Sequence, residues 1–134
     1  MIYLLDTNAW VQFLHNRHAL VVQRINARQP SELRSCSVVA AELYQGCLRS
    51  SKSAANRARV DSVLQPYLSL PFDDAAADVH ARVRRHLESL GAPIGPYDLL
   101  IAAIALANGC TLVTHNTNEF SRVPGLSLED WEAP

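Results

Sequence analysis

The chain opens with Ile2-Tyr3-Leu4-Leu5, an unbroken apolar and aromatic run, and turns polar at once in Asp6-Thr7-Asn8. A run this short and without alternation reads as a strand buried on both faces, the pattern of a parallel sheet covered by helices. Such sheets place their ligand sites beyond the carboxyl ends of their strands. Asp6 stands at that end, so it is either the first acid of a site or the cap of the next helix.

The remaining periodicities extend the same architecture. Thr7 is a further cap candidate for a helix through Asn8, Trp10, Val11, Phe13 and Leu14, and a second helix with Leu20, Val21, Val22 and Ile25 stops before Pro30. Leu33 to Ser37 reads as a strand, with Ser37 capping a helix through Val38, Val39, Glu42 and Leu43. A polar stretch from Ser50 to Asn56 reads as a loop, and helical spacing resumes from Arg57 to Leu64. Leu68 to Phe72 is a strand cut late by Pro71, and Asp73 and Asp74 open a long helix that Gly91 closes. Pro96 suits the first position of a helix running from Tyr97 to Asn108, apolar almost all round and therefore buried. Cys110 to Thr114 is a strand, His115 to Glu119 a polar loop, and Leu126 to Leu128 a short edge strand. Strands alternating with helices require an α/β fold with a mainly parallel central sheet.

With 134 residues, 49% of them hydrophobic, the chain has enough apolar mass for one domain spanning 1–134 without staples. No stretch has the length and apolarity of a membrane span or a signal segment, so a soluble, cytoplasmic protein is expected. Cys36, Cys47 and Cys110 show no CxxC spacing and are an odd number among apolar neighbours, so they read as reduced core residues. A net charge of −1 excludes a globally basic nucleic-acid binder but not a local basic face. Lys52 is the only lysine; the other cations are arginines, suited to bidentate phosphate contacts.

Two further acids occupy unusual settings. Glu42 lies three and four residues after Val39 and Val38, on a helix side shared with apolar residues, and Asp98 is the only acid in the most hydrophobic helix. Singly, each has a plain reading as a cap or a dipole partner. Brought together with Asp6, like charges a few Å apart would repel by roughly 3 to 4 kcal/mol per pair. Such a cluster must take up protons or hold a cation, and an all-oxygen set without cysteine suits Mg²⁺ or Mn²⁺.

Leu5-Asp6-Thr7-Asn8 after the first strand, Ala41-Glu42-Leu43, Gly95-Pro96-Tyr97-Asp98 and Leu112-Val113-Thr114-His115-Asn116, in this order, resemble the motif series of PIN domains, and more narrowly of VapC toxins from bacterial toxin–antitoxin pairs. The resemblance extends to Val123-Pro124-Gly125-Leu126 and Glu129-Asp130-Trp131. It implies a PIN-like three-layer sandwich and a Mg²⁺- or Mn²⁺-dependent endoribonuclease that cuts structured RNA, a tRNA or rRNA loop, and stops translation. It also implies a VapB-like antitoxin and a homodimer. On this match Asp6, Glu42 and Asp98 become the metal-binding catalytic acids, with Thr7, Asn8, Thr114 and Asn116 in support.

Asn116 departs from the pattern, because many PIN domains carry a further aspartate there; a one-ion mechanism, or a second ion recruited only with the RNA phosphate, is the expectation, with the Asn116 carbonyl, Asn118 or Glu119 as partial substitutes. Arg82 and Arg85 on the long helix are candidate RNA contacts, although a charged stripe opposite an apolar one is commonly a solvated face. His115 has the same two readings. Haloacid dehalogenase-type phosphatases need a second aspartate where Asn8 stands, and receiver domains need a late lysine that this chain lacks. The rival from another class is a PIN-like fold without catalysis, serving as an RNA- or protein-binding module.

Overall fold

The computed structural model describes residues 1–134 as a five-stranded sheet with helices packed over it. Its strands are β1 (Tyr3–Leu5), β2 (Leu33–Cys36), β3 (Leu68–Leu70), β4 (Thr111–Val113) and β5 (Leu128–Glu129), in the spatial order β3-β2-β1-β4-β5. Every neighbouring pair is parallel, so the sheet is wholly rather than mainly parallel. β1 lies at the centre with Leu4 opposite Arg34 on one side and Leu112 on the other. The strand order reverses on either side of β1, and a crevice opens there at the carboxyl ends.

The helices are α1 (Thr7–Leu14), α2 (Ala19–Asn26), α3 (Ser37–Leu48), α4 (Ser53–Leu64), α5 (Asp74–Ser89), α6 (Pro96–Ala107) and α7 (Thr117–Phe120). α6 is the buried element its composition demands: Leu99 and Ile101 to Ala105 are all in the core. α5 packs along it through Val83 and Leu87, while its other face carries the arginines outward. Trp10, Leu4, Leu5, Leu112 and Phe120 are fully enclosed between the layers. All three cysteines are free and buried. No helix is long and apolar enough to cross a membrane.

Local chemistry moves several boundaries. Asp6, not Thr7, caps α1, its Oδ1 accepting from the Ala9 N–H at 2.9 Å. Ser37 is already helical, with Cys36 in the cap position and no side-chain cap bond. α4 begins at Ser53, since Ser, Ala and Asn at the start of a helix carry little penalty. The stretch expected as a polar loop after β4 contains α7, one turn held by Phe120 in the core. The acidic tail is docked as well: Trp131 is buried against Tyr3, and the Arg28 guanidinium covers both rings at 4.7 and 4.5 Å.

Candidate active site

The chain's acids meet where β1 and β4 end and where α3 and α6 begin. Asp6 is only 6% exposed, with its carboxyl pinned by the α1 cap. Burial raises its pKa, and the charges of Glu132 and Glu42 raise it further; the Thr114 hydroxyl and the Ala9 N–H oppose that rise. Thr114 is itself buried after β4, and its Oγ1 accepts the Asn116 N–H at 3.0 Å. The hydroxyl therefore keeps its own proton to direct at Asp6. Asp6 is thus the cap of α1 and at the same time a buried carboxyl that feels the charge of Glu42.

Glu42 sits one turn into α3, half-buried, and its Oε1 accepts a 2.6 Å hydrogen bond from Thr7 Oγ1. A hydroxyl bound this closely to a carboxylate fixes the rotamer of both. Thr7 can reach Glu42 because Asp6 has taken the cap, leaving the Thr7 hydroxyl free on the first turn of α1.

Asp98 occupies the first turn of α6, behind Pro96. Its neighbour across Gly95 is Glu119: a Cβ on Gly95 would come within 3.4 Å of Asp98 Oδ2 and 3.5 Å of Glu119 Oε1. Burial, then the charges of Glu119, Asp6 and Glu42, push Asp98 up to about 6. Glu119 moves the other way, because its Oε1 accepts the Gly95 N–H at 2.5 Å and its Oε2 accepts from Asn116 Nδ2 at 2.9 Å. Two adjacent carboxyls driven apart in this manner divide the labour: Asp98 holds the shared proton and Glu119 stays ionised.

The three sequence candidates are thus brought together, and Glu119 joins them as a fourth acid. The sequence offered it beside Asn118 as a partial substitute for the aspartate absent at 116, on a turn expected to be loop; the structure puts Glu119, one helical turn after Asn116, next to Asp98. Asn116 contributes as a donor that holds Glu119. Asn8 faces solvent and makes no side-chain hydrogen bond. Arg82 is paired with Asp78 at 3.0 Å on the exposed face of α5, and neither it nor Arg85 bonds to any residue of this site. His115 is held at 3.0 Å by Asp130 of the docked tail, which raises its pKa.

No three of these acids stand at the mutual spacing of a closed ion cage. The donors nevertheless suit a hard divalent cation: they are carboxylate oxygens only, and Asp6, Glu42 and Glu119 each raise the pKa of Asp98.

Residues 3–126 match the PIN domain family. The tRNA(fMet)-specific endonuclease VapC of Shigella flexneri is 36% identical over 129 residues, covering 96% of this chain and 97% of that one. Ribonuclease VapC2 of Rickettsia felis is 35% identical over 133 residues, covering 98% and 99%. Among solved structures, VapBC2 from Rickettsia felis bound to a promoter DNA fragment superposes with a TM-score of 0.90 at 34% identity over 98% of this chain and 99% of that one. VapBC from Salmonella typhimurium, also DNA-bound, gives 0.91 at 32% identity over 98% of each. With its motifs, its parallel sheet and its crevice acids in agreement with these matches, the chain belongs to the PIN-domain family and, within it, to the VapC ribonucleases.

Proposed function

We propose that the chain is an endoribonuclease toxin that hydrolyses phosphodiester bonds in a structured RNA with Mg²⁺ as its ion, Mn²⁺ serving in its place. The observation that carries this reading is the Asp6, Glu42, Asp98 and Glu119 group, in which Asp98 is pushed up to about 6 by burial and by the other acids. At neutral pH the group is anionic and none of its four acids is in an ion pair, which is the condition for taking up a divalent cation. Asp6, Glu42 and Asp98 would hold the ion, with Glu119 beside Asp98. A bound ion supplies a water of lowered pKa and offsets charge on the phosphate.

The chain's own groups prepare that site. The α1 cap and the Thr114 hydroxyl hold the Asp6 carboxylate in place. Thr7 Oγ1 keeps Glu42 Oε1 aimed across the crevice. Asp98 gives up its proton as pH rises past about 6, with Glu119 kept ionised by Gly95 and Asn116. The name borne by the Shigella flexneri relative favours a tRNA as substrate, so that cleavage stops translation. The VapBC complexes among the structural neighbours favour a VapB-like antitoxin as inhibitor, and the family resemblance favours a homodimer as the toxin's assembly. A non-catalytic binding module would draw its support from Asn116; the Glu119 carboxylate beside Asp98 favours the nuclease reading over it.

The test is incubation of the purified chain with total bacterial RNA in Mg²⁺, Mn²⁺ or EDTA, beside Asp6→Ala and Asp98→Ala. Discrete fragments that need the ion and disappear in both variants are expected. Intact RNA under every condition, after removal of any bound antitoxin, would overturn the reading.

A further inference from the structure

A second feature begins where the acid group ends. A cleft of about 350 Å³ lies between α1, α3 and α4, with Thr7 and Glu42 at its inner end. Its floor is apolar, made by Val11, Leu14, Leu43 and Val60. Its rim is polar and cationic, with Arg49, Arg59 and Asn56. Neither arginine is in an ion pair, although the Arg59 guanidinium donates to the Leu14 carbonyl and so leans over the cleft. An apolar floor under a rim of amide and guanidinium groups, at this volume, is the lining of a small-ligand site.

Gly46 gives the cleft its purpose. It lies in the interior of α3, where glycine is the poorest helix former after proline. Its φ is not positive, and a Cβ built on it meets nothing within 4 Å. Neither backbone conformation nor packing within the chain therefore calls for glycine. Glu42, Gly46 and Arg49 fall at i, i+4 and i+7 along one helix face, a span of about 10 Å. A carboxylate of the candidate site stands at one end, an unpaired arginine at the other, and the middle position carries no side chain.

We propose that this cleft is the subsite for the nucleotide next to the scissile phosphate: its base lies on the apolar floor over Gly46, and Arg49 and Arg59 take the adjoining phosphate. This rests on the RNA-cleaving reading above and extends it to a residue-level account of substrate binding. Single-stranded RNA offers unstacked bases whose faces can be buried, and guanidinium groups both take phosphate and stack on bases.

The test compares wild type, Gly46→Leu, Gly46→Ala and Arg49→Ala by equilibrium binding of labelled bulk bacterial tRNA in EDTA, Mn²⁺ calorimetry, thermal unfolding and steady-state cleavage. Gly46→Leu should melt at or above wild type and bind Mn²⁺ within twofold, while its tRNA Kd and KM rise at least tenfold; Gly46→Ala falls between. Arg49→Ala should weaken tRNA binding and lower the slope of log K against log salt by about 1. That salt slope decides the matter if Gly46→Leu fails to fold. The subsite is overturned if both Gly46 variants bind and cleave as wild type does, if only antitoxin affinity falls, or if wild type binds no tRNA. A wild type that binds tRNA and never cleaves any RNA would sink the nuclease reading alone, since the variants' binding constants still decide the cleft.

Discussion

Asp6 has two roles that one substitution can separate. Its Oδ1 caps α1 through the Ala9 N–H at 2.9 Å, and its charge belongs to the acid group. Asparagine keeps the first role, since Asn and Asp cap equally well, and abolishes the second; alanine abolishes both. In EDTA the Asp6 carboxyl stands where burial and the neighbouring acids disfavour its charge. Relieving a destabilised charge of this kind is worth on the order of 1 kcal/mol. Losing the cap costs about 1 kcal/mol. Asp6→Asn should therefore melt above wild type, and Asp6→Ala at or below it, with about 3–5 °C per kcal/mol for a domain of this size.

Adding Mg²⁺ should invert the order. At ten times its Kd an ion that binds only the folded chain adds about 1.4 kcal/mol, and that gain is open to wild type alone. Circular dichroism melts in EDTA and in Mg²⁺, with RNA cleavage run alongside, read the whole pattern. An Asp6→Asn variant that melts as low as Asp6→Ala in EDTA would refute the claim that the free site is electrostatically strained. One that gains as much as wild type from Mg²⁺ would show that Asp6 is not a ligand.

Three further outcomes follow from individual contacts. Asp98 is raised from 3.8 to about 6, so the folded chain holds that proton more tightly than the unfolded one. The stability it contributes is complete below pH 3.8 and lost as pH rises through about 6; melts in EDTA should fall from pH 4.5 to 7, and the drop should shrink in Asp98→Asn. Glu119, held low, works in the opposite sense below its ordinary 4.5, so an unchanged slope in Asp98→Asn would remove Asp98 as the source. Thr7→Val deletes the 2.6 Å bond to Glu42 and should weaken Mn²⁺ binding by about tenfold in calorimetry, with Thr7→Ser close to wild type; equal affinities in all three would make the bond incidental. Arg28→Ala uncovers Tyr3 and Trp131 and should cost about 1 kcal/mol in thermal unfolding while kcat holds; a collapse of kcat would tie the docked tail to the chemistry.

The sequence conveyed the parallel sheet because its strands are short, apolar and set between amphipathic helices, and it conveyed α6 because twelve nearly uninterrupted apolar residues have nowhere to lie but the core. Boundaries failed where two polar residues competed for one role. Asp6 and Thr7 both can cap α1, and composition alone does not say that Glu42 lies close enough to take the Thr7 hydroxyl. Glu119 was legible only as one of two substitutes for the aspartate absent at 116, and the sequence did not choose between it and Asn118. Its importance depends on Gly95, 24 residues earlier, presenting an N–H to it, and no local pattern announces a partner at that distance. The solvated reading of Arg82 was accessible from its i, i+4 spacing to Asp78, while Gly46 became informative only when the space around it was seen to be empty.

Asn116 shows how a crevice can keep a carboxylate while moving it along the chain. An aspartate there would add charge directly after β4. Here the charge sits one helical turn later, at Glu119, and the Asn116 amide has become a donor to it at 2.9 Å. Residues three apart on a turn face the same way, so the exchange is geometrically cheap. It is not electrostatically neutral. Glu119 is drawn down by two donors while Asp98, buried and without a comparable donor, is driven up, so the pair holds one proton on a defined carboxyl. The polarity of that arrangement is set by the Gly95 N–H. A Cβ at position 95 would meet Asp98 Oδ2 at 3.4 Å and Glu119 Oε1 at 3.5 Å, ordinary contact distances, so this one backbone position stands between the two acids and donates to only one of them.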